Sequence, residues 1–405
     1  MNVGNEQFSP ARLARMHDVL TGFAARGEVP GLISAVSRRG ETHVDVIGTL
    51  TPGGHDPIQR DTIFRIASLS KPMAAVAAMI LVEECRLRLD EPVDRFLPEL
   101  ANRQVLRRPD APLDDTVPAV RPITLRDLLT FRSGYGIVMS WPEVYPIQRA
   151  MDDLKLNQGP PNPQLPPEPD EWMRRLGTLP LVHQPGERWL YNTGADILGV
   201  LIARAADQPL EVFMRERIFA PLGMHDTGFS VPESKIDRLS ICYGTNFETG
   251  ERTVYDPAEG GQWSRPPAFP SAAGGLVSTI DDVLAFGQML MNNGRSAGGR
   301  ILSRASVETM TTDHLTPAQK AISGLLSDYF ESHGWGFGMA INTRRDSIYT
   351  TPGRYGWDGG LGTVWYNDPR AELITVLLTN QTWTSPNPPN VCLDFWTLAQ
   401  QAIND

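Results

Sequence analysis

The order of apolar and polar positions marks out most of the chain's elements before any motif is considered. Residues Pro10 to Arg26 carry apolar positions at helical spacing and predict an amphipathic helix. Gly31 to Val36 and Thr42 to Ile47 read as two strands around a turn at Arg39-Gly40. Met73 to Val82 is apolar nearly all round, as a buried helix is, and Pro72 suits its first turn, where a missing N–H costs nothing. In the middle third, Thr124 and Asp127 have the spacing of a capping box ahead of Leu128-Leu129. Gly159 to Asp170 holds five prolines (160, 161, 163, 166 and 169), which predict an extended surface loop. Gly194 to Ala206 reads as a helix, with a shorter one after Pro209. Thr279 and Asp282 cap another, which ends at Asn292-Asn293-Gly294. Trp335 to Asn342, Gly362 to Tyr366 and Leu373 to Leu378 read as strands, and Val391 to Ile403 as a closing helix.

Strands therefore lie toward both ends and helices between them. The simplest architecture is an α/β fold of the α+β type. Residues 1–66 and 235–405 form one lobe built from both termini, and residues 67–234 form an inserted, mainly helical lobe with the proline-rich loop at 159–170. Composition narrows the partners. The 405 residues carry a formal charge of -10, which disfavours nucleic acid and anionic membrane, since both demand clustered positive charge. No run of eighteen apolar residues predicts a membrane span. Met1 to Met16 has no apolar leader core, so a cytoplasmic location is expected. The three cysteines, Cys85, Cys242 and Cys392, are far apart, and neither they nor the seven histidines show metal-ligand spacing. No metal and no cofactor are expected, and the sequence is silent on oligomeric state.

Lysine usage changes the picture. The only lysines are Lys71, Lys155, Lys235 and Lys320; arginine carries the remaining positive charge. A lysine can give up its proton when desolvated and an arginine cannot, so Lys71 invites a chemical explanation. Ser68-Leu69-Ser70-Lys71 is an S-x-x-K tetrad at the head of the apolar helix. Positions i and i+3 share a helix face, which puts Lys71 within reach of the Ser68 hydroxyl. Burial drives the lysine pKa toward the range of a working base, and a serine becomes a nucleophile once a base takes its proton. The Ser68 backbone N–H at the helix start is a candidate oxyanion donor. A rival exists at Gly294-Arg295-Ser296-Ala297-Gly298, which matches G-x-S-x-G. That motif requires a strand before it and a helix after it, and here a helix precedes a polar turn.

Ser68-Leu69-Ser70-Lys71-Pro72 resembles the active-site motif of the serine β-lactamase and penicillin-binding-protein superfamily. Pro185-Gly186-Glu187-Arg188-Trp189-Leu190-Tyr191-Asn192-Thr193-Gly194 is similar to its second motif, and Gly356-Trp357-Asp358-Gly359-Gly360-Leu361-Gly362-Thr363 to its third. The similarity runs in order over roughly residues 10 to 403 and is strongest to the class C-like branch that holds the family VIII carboxylesterases. It implies a β-lactamase-like fold with an antiparallel sheet flanked by helices. It also implies that Tyr191, ionised or hydrogen-bonded to Lys71, moves the proton to the leaving group, and that the Gly360 N–H is the second oxyanion donor. Tyr135, Trp357, Asp358 and Gly359 are the expected substrate-binding residues. Two departures stand out. The second motif is usually Tyr-x-Asn, whereas Asn192 follows Tyr191 directly; the third usually begins with Lys or His, and Trp357 offers no cation for a β-lactam carboxylate. The expectation is a hydrolase of small, uncharged carboxylic esters. The alternatives are a weak β-lactamase, a D-amino acid amidase or peptidase, an acyltransferase, and a non-catalytic binding protein on the same fold.

Overall fold

A computed structural model of the chain describes residues 6–140, 144–156, 159–324 and 328–404. The first five positions of the stretch Met1 to Met16 lie outside them. The principal sheet has seven antiparallel strands: β1 (Gly31–Arg38), β2 (Glu41–Gly48), β3 (His333–Trp335), β4 (Ala340–Asn342), β5 (Tyr355–Gly359), β6 (Thr363–Asp368) and β7 (Leu373–Thr379). Their order is β3-β4-β5-β6-β7-β1-β2, so the first hairpin of the chain docks on the last strand, with Leu32 opposite Thr379 and Arg38 opposite Leu373. Five helices flank this sheet or carry residues of the site: α1 (Pro10–Ala25), α2 (Ser70–Glu83), α3 (Thr193–Ala206), α4 (Ile280–Met291) and α5 (Asn390–Ala402).

Strand alternation distributes the core over the two faces of the sheet. In β7, Ile374, Val376 and Leu378 join the large core shared with α2, α3 and α4, while Leu373 and Leu377 join the smaller core under α1 and α5. The capping box is present, with Thr124 accepting from the Asp127 N–H and Asp127 accepting from the Thr124 N–H. The proline-rich segment is irregular as far as Glu168. Pro169 then opens a helix, Pro169–Leu176, since a proline at the first helical position forfeits no hydrogen bond. Among the described residues, no helix is long and apolar enough to cross a membrane.

One predicted strand is divided. Trp335 to Asn342 forms two strands, β3 and β4, around a tight turn in which Gly338 has φ +71°. Glycines at 334, 336 and 338 permit the reversal. A side chain at Gly338 would meet the Lys71 carbonyl oxygen at 2.8 Å, so the turn presses against the first turn of α2.

The segment leading into α2 is clamped from below. Strand Phe64–Arg65 pairs with Val277–Ser278. The Arg65 guanidinium, almost wholly buried, donates to Asp256 Oδ2 at 2.7 Å, to the Ser240 carbonyl at 2.5 Å and to the Pro257 carbonyl at 2.8 Å. Removing one partner of such a pair strands a buried charge. Arg65→Ala should therefore lose about 3–5 kcal/mol of unfolding free energy in a denaturant titration. A loss below about 1 kcal/mol would show that the clamp contributes little.

Candidate active site

The approach to α2 is a short turn, Ala67–Leu69, in which Ala67 takes the left-handed region at φ +44°. That conformation costs a non-glycine residue about 1–2 kcal/mol and needs external support. Ser70 supplies it: its hydroxyl donates to the Ala67 carbonyl at 2.6 Å and accepts from the Leu276 N–H at 3.1 Å. The turn leaves Ser68 half-buried at the wall of a cavity of about 990 Å³. Ser68 and Gly360 both line this cavity.

Lys71 lies one turn on, 1% exposed, on a helix whose residues are buried from Ser70 to Leu81. Its Nζ is 2.9 Å from Ser68 Oγ and donates to the Ala273 carbonyl at 2.5 Å. Desolvation pushes its pKa down to about 7. Asp196 in the first turn of α3 holds this arrangement from behind. Its Oδ1 accepts from Ser271 Oγ at 2.7 Å and from the Ala273 N–H at 3.1 Å, which fixes the carbonyl that receives Lys71. Burial pushes the Asp196 pKa up. Sequence reasoning passes over Asp196 as part of a helix; the available signal is one acid in the otherwise apolar run Ala195 to Ile202.

Tyr191 approaches from the other side, its ring centroid 4.5 Å from Lys71 Nζ. Its hydroxyl is hydrogen-bonded to Ser68 and accepts from Trp357 Nε1 at 2.8 Å. Burial raises the phenol pKa, which favours the neutral hydroxyl over the tyrosinate. The direction of this chain of hydrogen bonds comes from donor chemistry. An indole N–H only donates, so Tyr191 Oη accepts from it and passes its own proton toward Ser68 Oγ. Lys71 Nζ donates to Ser68 Oγ, and once the amine has lost its proton the same 2.9 Å contact lets the Ser68 hydroxyl donate to its lone pair, which is the step of deprotonation.

The missing residue of the second motif is absorbed by strain. Asn192 has φ 82° and ψ −70°, with the Thr193 N–H turned back to the Tyr191 carbonyl at 3.3 Å. Asn192 lines the cavity and Thr193 is buried beside it.

The third motif divides by strand alternation. Trp357 packs edge-on against Trp335 at 4.6 Å and beside Tyr191 at 5.6 Å. Asp358 faces the cavity wall formed by Tyr366, whose hydroxyl donates to Asp358 Oδ2 at 3.1 Å; desolvation lifts this carboxyl to about 7. Gly359 is a packing residue and no part of the cavity wall: a side chain there would meet the Ile66 carbonyl oxygen at 2.5 Å. Tyr135 is also displaced from its expected role. It is fully buried in the main core, its hydroxyl donating to the Leu179 carbonyl at 2.9 Å, away from the cavity. Ser296 stands on a two-residue strand paired with Gly299–Arg300, its hydroxyl donating to the Gly299 carbonyl at 3.2 Å, and it is not part of the cavity lining. The cavity does contain a cation that no sequence motif points to. Arg354 lies buried between the rings of Tyr366 (3.6 Å), Trp396 (5.1 Å) and Tyr349 (5.7 Å). Among the described residues, no cluster of three or more His, Cys, Asp or Glu could hold a metal ion.

Residues 16–390 match the family model described as Beta-lactamase. The chain is 40% identical over 362 residues to an uncharacterized protein of Mycobacterium tuberculosis, covering 87% of this chain and 86% of that one. It is 28% identical over 396 residues to Esterase EstB of Burkholderia gladioli, covering 93% and 92%. Among solved structures, EstCE1, a hydrolase with promiscuous acyltransferase activity, superposes with a TM-score of 0.77 at 24% identity, covering 96% of this chain and 99% of that one.

The pH dependence of Ser68 reactivity separates the two groups that titrate near neutrality. Neutral Lys71 predominates above its pKa, so the rate of Ser68 labelling by a fluorophosphonate should rise with pH through about 7. The same limb should persist in Asp358→Asn. Its disappearance in that variant would assign the titration to Asp358 instead.

Proposed function

This chain belongs to the Beta-lactamase family, a serine hydrolase superfamily with esterase and acyltransferase relatives, and within it we propose that it hydrolyses small-molecule carboxylic esters through an acyl-enzyme on Ser68. The observation that carries this reading is the buried Lys71 amine 2.9 Å from Ser68 Oγ, its pKa lowered to about 7. Ser68 Oγ attacks the ester carbonyl carbon as its proton passes to Lys71 Nζ. Ser68 and Gly360 line the cavity, and in this reading their amides receive the oxyanion. Tyr191, protonated and bonded to Ser68, gives its proton to the departing alkoxide and is replenished from Lys71. Water then adds to the acyl carbon, its proton returning through the same pair, and Ser68 leaves with its hydroxyl restored.

The substrate class rests on the third motif. Trp357 faces Tyr191 where a β-lactam enzyme of this superfamily would place a cation, and Arg354 is enclosed by three rings. Esterase names among the relatives, including Lovastatin esterase of Penicillium rubens at 29% identity, support the ester reading. Monacolin J acid methylbutanoyltransferase of Aspergillus terreus at 26% identity supports a second reading, in which another alcohol replaces water as acceptor.

Acid quench during turnover of p-nitrophenyl butyrate, followed by peptide mass analysis, should find a butyryl adduct on Ser68. Lys71→Arg should fall at least ~10²-fold in kcat, since arginine keeps the charge and loses the base. Turnover that survives in Ser68→Ala, or an adduct on another serine, would overturn the assignment.

A further inference from the structure

The cavity at Ser68 has two unlike walls. Residues 328–333, 346–354 and 357–358 contribute Asp328, Asp346, Arg354 and Asp358; the one further acid of the lining, Asp196, is buried and bonded to Ser271 and Ala273. Three other segments, 137–139, 159–161 and 244–255, contribute no charged side chain to the lining. The uncharged segments are tied together and to the nucleophile. Tyr255 donates its hydroxyl to the Pro161 carbonyl at 2.5 Å, and Pro161 approaches Gly274 beside the Ala67 turn. At the rim of this wall stand Met139, Phe247 and Val254, which are 62%, 81% and 55% exposed. Large apolar side chains left in water at separate points of the chain, all on one cavity, mark a surface completed by an apolar ligand.

Which part of the substrate lies there is decided by the proton path. The leaving alcohol must stand where Tyr191 can protonate it. The Tyr191 hydroxyl is bonded to Trp357 and lies within the electrostatic reach of Asp358, which belongs to the charged wall. The acyl chain is then directed to the opposite, uncharged side. We infer that the uncharged wall rimmed by Met139, Phe247 and Val254 is an acyl-chain site, and that the substrates are esters of extended aliphatic acids with polar alcohols. This rests on the esterase reading and deepens it. A short acyl group ends near Ser68, whereas a longer one reaches the rim and removes it from water.

The test compares p-nitrophenyl decanoate with p-nitrophenyl acetate, both below the micellar concentration, so that the leaving group is constant. The ratio of their kcat/KM values should exceed one in the wild type. It should fall about tenfold in Phe247→Ser, mainly through KM, and stay within about threefold in Phe247→Leu, because burial of apolar area is what is lost. A ratio below one in the wild type, or one unchanged by Phe247→Ser, overturns the acyl-chain site. That outcome differs from failure of the underlying reading, in which neither ester is turned over and no adduct forms on Ser68.

Discussion

Everything at the site depends on keeping the amine of Lys71 out of water. A buried ammonium is expensive, and the chain resolves the cost by letting the proton go. The apolar surround of α2 lowers the pKa, and the Ala273 carbonyl, itself held by Asp196, gives the neutral amine one partner and an orientation. The turn at Gly338 closes over the Lys71 carbonyl, and the left-handed Ala67 turn brings Ser68 back over the amine. Strain in that turn is offset by Ser70 and by the Arg65–Asp256 clamp beneath it. Fold and chemistry thus meet in one requirement, that a lysine be dry and a serine lie beside it.

The polarity of the hydrogen-bond chain is set from the opposite end. Trp357 Nε1 cannot accept, so it donates to Tyr191, while Lys71 Nζ donates to Ser68 Oγ from the other end until the amine loses its proton. A lysine or histidine at position 357 would also offer a donor, but would bring charge to a wall that already has Asp358 beside it. The indole gives direction without charge, and its ring completes the aromatic cluster of Phe131, Trp189, Tyr191 and Trp335. The same indole is the basis of the proposed preference for neutral esters.

Much of this is readable from the sequence because it is local. Ser68 and Lys71 are one helical turn apart, the Thr124 capping box spans three residues, and β1, β2 and the helices announce themselves by period and by caps. What escapes is what depends on distant segments meeting. Asp196 acts through Ala273, seventy-seven positions away. Arg354 finds its aromatic neighbours in Tyr366 and Trp396. Tyr135 is expected at the cavity from the family resemblance, yet its side chain turns into the core to meet Leu179. Gly359 belongs to the third motif by position, but the close approach of Ile66 makes it a packing residue. The interrupted strand at 335–342 has a local signal in its three glycines, masked by the apolar residues between them.

The scarcity of lysine permits a direct test of the central claim. With only four lysines in the chain, ¹³C-labelled lysine gives a spectrum in which each side chain can be followed by NMR as pH is varied. One resonance, absent in Lys71→Arg, should titrate near 7. If that resonance titrates only above about pH 10, the usual lysine value, Lys71 is an ammonium at working pH, and the general-base account is wrong.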